Sequence, residues 1–97
     1  MIRHVVMHRV KATATEEAVA AWKAAVVELG TSSPEVKWFS FGSNVGSGPN
    51  HFDTATIMDF EDIETFRAYI KSDKHMTYVQ AHAKPVIDQI AAVQHEL

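Results

Sequence analysis

The chain has 97 residues, no cysteine and six histidines, and its 12 acidic and nine basic side chains give a net charge of −3. One domain, residues 1–97, is expected; a chain this short buries only about 60 to 65% of the surface it exposes when unfolded, so self-association is expected from length alone. The absent cysteines exclude disulfides, thiolate metal sites and a cysteine nucleophile and fit a cytoplasmic setting; the scattered basic residues disfavour nucleic acid as a partner, no apolar run nears the roughly 20 residues of a membrane span, and no charged stretch followed by an apolar core precedes the first strand, so neither membrane insertion nor export is expected.

Ile2 to Lys11 alternates with a period of two, which predicts a strand with Ile2, His4, Val6, His8 and Val10 on one face and Arg3, Val5, Met7 and Arg9 on the other. Thr13 or Thr15 caps a helix with Glu16 and Glu17 in its first turn and Val19, Trp22, Val26 and Leu29 at helical spacing, and Gly30 is read as its stop. After Pro34, Val36 to Ser43 alternates again, with Val36, Trp38, Ser40 and Gly42 assigned to the helix-covered side and Lys37, Phe39 and Phe41 to the other. The glycine-rich stretch 42–50 contains no Gly-Lys-Ser/Thr and opens no helix, so it reads as a hairpin loop and not as a phosphate cradle.

Phe52 to Phe60 is the third strand, with Phe52, Thr54, Thr56, Met58 and Phe60 opposite Asp53, Ala55, Ile57 and Asp59. Glu61 or Asp62 caps the second helix, whose inward stripe is Ile63, Phe66, Tyr69 and Ile70, and Ser72 caps a third that reaches about Ala83. Pro85 precedes a last strand, Val86 to about Glu96. The order β-α-β-β-α-β predicts an α+β, ferredoxin-like fold, a four-stranded antiparallel sheet with its helices on one face. The bare face would hold Val5, Met7, Phe39, Phe41 and Ile57 with balanced charges, so a second copy is expected to cover it in a two-fold homodimer, two sheets closing into a barrel.

The helix-covered face holds His4, His8, Ser40, Thr54 and Thr56 among apolar residues. Buried polar groups need partners, so these five either line a pocket for a small-molecule ligand or bond to neighbouring backbone. His75 falls in the first turn after a Ser72 cap, where the helix dipole keeps an imidazole neutral and able to take a proton, with Asp73 opposing. Tyr69, one turn earlier, can orient that ring or donate to a developing enolate oxygen. No metal site is expected: His4 and His8 lie about 13 Å apart along their strand, and no helical histidine pair has ligand spacing.

The opening Met1-Ile2-Arg3-His4-Val5-Val6, the Gly42-x-Asn44-Val45 turn and the run Asp59-Phe60-Glu61-Asp62 followed by Ala68-Tyr69-Ile70 and His75 resemble the stress-responsive α/β-barrel family, the Dabb domain, over essentially the whole chain. The resemblance implies a dimeric α/β barrel. Members include plant stress-induced proteins without established catalysis and a polyketide cyclase that closes a poly-β-keto chain by aldol condensation. By that resemblance Tyr69 and His75 are catalytic and His4 binds substrate. Thr54 stands where the cyclase has a second pocket histidine and Val26 where it has a tyrosine, and with Trp38 on the inward face they complete the expected substrate-binding set. Ser72-Asp73-Lys74-His75 replaces the family's commoner His-Pro-x-His.

Three readings follow: a small-molecule cyclase or isomerase acting on a β-keto substrate without cofactor, a non-catalytic binding or structural dimer, and a cofactor-free monooxygenase on the same architecture.

Overall fold

The valine-rich alternation of β1 (Ile2–Val10) makes it a central strand, paired antiparallel on one side with β3 (Thr54–Phe60) and on the other with β4 (Ile87–Glu96). The outer strand β2 (Trp38–Ser43) pairs with β3, giving the order β2-β3-β1-β4. Three helices complete the chain: α1 (Glu16–Ser32), α2 (Ile63–Lys71) and α3 (Asp73–Tyr78), the last continuing into a π-helical turn, Val79–Ala83. The computed structural model describes all residues 1–97, and its architecture is the ferredoxin-like α+β fold.

Side-chain caps fix where each helix begins. Thr15 accepts from the Ala18 N–H, Asp62 from the Thr65 N–H and Ser72 from the His75 N–H, so Thr15 and Asp62 are the caps and Thr13 and Glu61 are not. Gly30 does not stop α1, which runs two residues further. Its role is spatial: a Cβ built there would overlap the Phe39 ring, so the glycine is what lets β2 lie against the helix.

That contact overturns the face assigned to β2. Trp38 pairs with Asp59, and Phe39 with Met58, so Phe39 and Phe41 turn toward the helices while Trp38 and Ser40 turn away. Trp38 is half exposed on the bare face, where the Arg3 guanidinium sits 5.2 Å from its ring centre. A period-two pattern cannot choose between two faces that are both apolar, and a slip of one residue inverts every side chain.

Two clusters form the core. Ile2, Leu29, Met58, Phe60 and Tyr69 pack at one end, and Trp22, Val26 and Val86 at the other. Trp22 and Phe60 are fully buried, each contributing about 2–3 kcal/mol of hydrophobic stabilisation. Ile63, expected in the inward stripe of α2, is exposed. On the bare side of the sheet, Val5, Met7, Ile57 and Val93 share a face with Trp38, and Asp59 is buried there in a two-pronged pair with Arg3 at 2.8 and 2.9 Å. That pairing holds the Asp59 carboxyl below the usual carboxylate range. Asp53 instead accepts the Val10 N–H, and Arg9 lies over the Phe52 ring at 4.2 Å.

Candidate active site

The inward row of β1 carries His4, Val6 and His8, and β4 sets Gln94, Ala92 and Ile90 opposite them. Above these rows, α2, α3 and the π-helical turn stand away from the sheet, leaving a cavity of about 600 Å³ between the two core clusters. Its wall is mainly apolar, and the π-helical turn contributes Val79 and Ala83 to it. An apolar hollow of this size with a few placed polar groups is the usual form of a small-molecule site.

The chain break between α2 and α3 brings two of the polar groups together. Tyr69 ends the buried stripe of α2 and is 2% exposed, and His75 follows in the first turn of α3 with its ring centre 5.0 Å from that of Tyr69, edge toward face. Ser72 fastens the break from both sides: its hydroxyl donates to the Tyr69 carbonyl at 2.7 Å and accepts the His75 backbone N–H at 3.2 Å. His4 stands across the cavity, its ring 4.8 Å from Phe66 and its Nδ1 2.9 Å from the Gln94 side-chain nitrogen. With that amide donating, Nδ1 is the acceptor and the ring proton lies on Nε2.

Burial governs the protonation of all these groups. It pushes the His4 imidazole down to about 4, with His75 and His8 adding repulsion. His75 also lies below the ordinary histidine value, chiefly through burial; the Ile70 carbonyl pulls the other way. The expected neutrality of His75 therefore has desolvation as its main cause, where the sequence pointed to the helix dipole. Burial also raises the Tyr69 hydroxyl well above its ordinary value, so it stays a proton-bearing donor. The arrangement offers neutral imidazoles that can accept a proton beside a phenol that can donate a hydrogen bond.

Of the residues expected at the site, His4, Val26, Tyr69 and His75 line the cavity. Trp38 does not, because β2 presents its other face; Ser40 is exposed with it. Thr54 is buried in the sheet opposite His8 but does not reach the cavity wall. Tyr78 and Gln94 line the cavity without having been singled out. Tyr78 lies three residues after His75 on one helix, a spacing that shares a face; Gln94 is placed by strand register, which sequence alone does not fix. No group of three or more metal-ligating side chains converges anywhere.

The sequence profile of the stress responsive A/B barrel domain matches residues 2–96. A dimeric ferredoxin-like protein of unknown function from Thermobifida fusca is 30% identical, superimposes with a TM-score of 0.85, and the match covers 99% of this chain and 90% of that one. A Dabb family protein with a ferredoxin-like fold from Mesorhizobium loti has a TM-score of 0.85 at 16% identity, covering 99% and 95%. The hydroxynitrile lyase of Passiflora edulis has a TM-score of 0.83 at 19% identity, covering 97% and 90%. No curated protein matches the sequence.

Proposed function

This chain belongs to the stress responsive A/B barrel domain family, and we propose that it is a homodimeric, cofactor-independent enzyme performing acid–base chemistry on a small, largely apolar β-dicarbonyl compound held in the cavity. The observation that carries this reading is the meeting of a neutral His75 with the Tyr69 ring in a wall that is mainly apolar. The neutral His75 imidazole takes a proton from the carbon between two carbonyls, and the electron pair moves into an enolate. Tyr69 donates its O–H to the enolate oxygen, and His4 lines the opposite wall. Where the molecule carries a third carbonyl, the enolate carbon attacks it and the alkoxide formed takes the proton back from the His75 imidazolium, giving cyclisation; otherwise the enolate recovers that proton at a different atom, giving isomerisation.

A lyase of the same fold supports a catalytic use of this architecture. The dimeric Thermobifida fusca relative supports pairing; the surface proposed for it is the bare sheet face, where Met7, Trp38 and Val93 are exposed beside Val5 and Ile57. A second reading, a dimer that binds a ligand without transforming it, is favoured by one observation: Tyr69 and His75 meet as rings, edge to face at 5.0 Å, a packing contact. Turnover of 2,4,8-nonanetrione, whose third carbonyl lies within six-membered-ring reach of C3, followed by appearance of the cyclised product in proton NMR, separates the two. The catalytic reading expects turnover in the wild type and its loss in His75→Ala with the fold intact; turnover that survives His75→Ala contradicts it.

A further inference from the structure

The proton-transfer chemistry uses only one end of the cavity. His8, four residues from His4 on the same inward row, lies about 13 Å further along the strand and also lines the cavity. Its imidazole is 7% exposed, makes no hydrogen bond, and has Nδ1 sealed from solvent without a partner. Thr56 lines the same hollow and is 2% exposed, and its Oγ1 is likewise buried and unpartnered. Two orphaned polar groups in one wall of a small core are costly, because each has given up water for nothing in return.

Their neighbours hold them in place. Trp22 meets the His8 ring edge to face at 5.1 Å and donates its Nε1–H to the Tyr78 hydroxyl at 3.0 Å. Tyr78 lines the cavity too, and having accepted from Trp22 it keeps its own hydrogen to donate. Between the His4 and His8 rows the wall is made by Val6, with Ala92 opposite it on one neighbouring strand and Thr56 on the other.

We infer that His8, with Thr56 one register step back opposite Val6 and the hydroxyl of Tyr78, whose ring spans toward His75 at 5.9 Å, forms a second polar subsite, which binds a neutral oxygen function, a hydroxyl or a carbonyl, at the His8 end of the cavity. The substrate class is then a molecule polar at both ends and apolar in its middle, its reacting dicarbonyl beside His75 and its tail running past Val6. The subsite suits a neutral group because none of its three side chains carries a charge, His8 being held neutral by burial, and the two charged residues of the cavity wall, Lys84 and Asp88, are of opposite sign. The inference rests on the reading of the other end as the reacting end, and its test does not depend on turnover.

The test compares two probes by calorimetric titration: 2,4-nonanedione and its 9-hydroxy derivative. Wild-type protein is expected to bind the hydroxylated probe about five- to tenfold more tightly, the worth of one or two well-made hydrogen bonds to otherwise unpaired groups. His8→Leu and Thr56→Val, both close to isosteric, are expected to bring that ratio to about one. A merely structural His8 would lower stability on replacement and leave the ratio alone; His8→Asn, which keeps hydrogen-bonding capacity, is expected to retain part of the preference. Equal binding of the two probes by wild type, as when the groups hold only ordered water, overturns the subsite, as does a ratio that survives both substitutions or binding of neither probe. A ratio without turnover removes the catalytic reading and keeps the subsite; turnover without a ratio does the reverse.

Discussion

Tyr69 and His75 are held edge to face, ring centres 5.0 Å apart, by a third side chain that belongs to neither helix. The Ser72 hydroxyl donates to the Tyr69 carbonyl and accepts the His75 N–H, so the cap that starts α3 also sets the separation of the candidate dyad. Ser72→Ala is expected to cost about 1 kcal/mol of stability, as loss of a helix cap usually does, and to lower turnover while Ser72→Thr restores both. Urea denaturation and initial rates on the three proteins check this; unchanged stability in Ser72→Ala contradicts the capping role.

Gly30→Ala reverses a general rule. Replacing a helical glycine by alanine ordinarily stabilises by about 1 kcal/mol. Here the new methyl group would overlap the Phe39 ring, and overpacking of a tight contact costs about 1–3 kcal/mol. Net destabilisation of about 1 kcal/mol or more is expected, relieved in the double variant Gly30→Ala/Phe39→Leu. Thermal melts of the three proteins give the sign.

Stability should fall in mild acid. His8 in the folded protein is pushed from 6.5 down to about 4 by burial, and His4 moves the same way. As pH drops below about 6.5 the unfolded chain takes up these protons and the folded chain does not, so their contribution is complete above about pH 6.5 and is lost toward pH 4. For His8 alone the loss approaches about 3 kcal/mol. Denaturant unfolding from pH 7.5 to about 4.5 is expected to show this slope, and His8→Leu to flatten it; equal slopes in the two proteins contradict the assignment.

Two substitutions on the bare sheet face, Trp38→Glu and Val93→Glu, place charges where a second copy is expected to pack. Each should shift the protein from dimer to monomer in sedimentation velocity, because an unpaired carboxylate in an apolar interface is strongly disfavoured. A dimer that persists in both variants places the interface elsewhere.

Much of this fold was legible because its signals are local. The period-two alternation of β1 and β3 and the apolar stripe of α1 are each set by residues close in sequence, and Ser72 is readable as a cap from its position before Asp73. The order of elements then restricts the topology to very few arrangements. Strand β2 was misread because Trp38 lies on one face and Phe39 and Phe41 on the other, so hydrophobicity could not choose; the deciding contact is with Gly30, read instead as a helix stop. Residue type and resemblance point to Tyr69, His75 and His4, which line the cavity, whereas Trp38 follows its strand to the other face. Gln94 joins His4 through the pairing of the first and last strands, a separation of 90 residues that no local pattern encodes.

The central claim is that a neutral His75 removes a proton from carbon, and hydrogen–deuterium exchange measures that step without requiring the later chemistry. Exchange at C3 of 2,4-nonanedione in deuterated buffer, followed by proton NMR and corrected for the buffer-catalysed rate, is expected to be accelerated by the wild-type protein. His75→Ala should lower that acceleration by about 10²-fold or more and Tyr69→Phe by about 10²-fold, the usual worth of a general base and of an oxyanion donor. Acceleration undiminished in His75→Ala, or none in the wild type with the probe bound, would contradict the account.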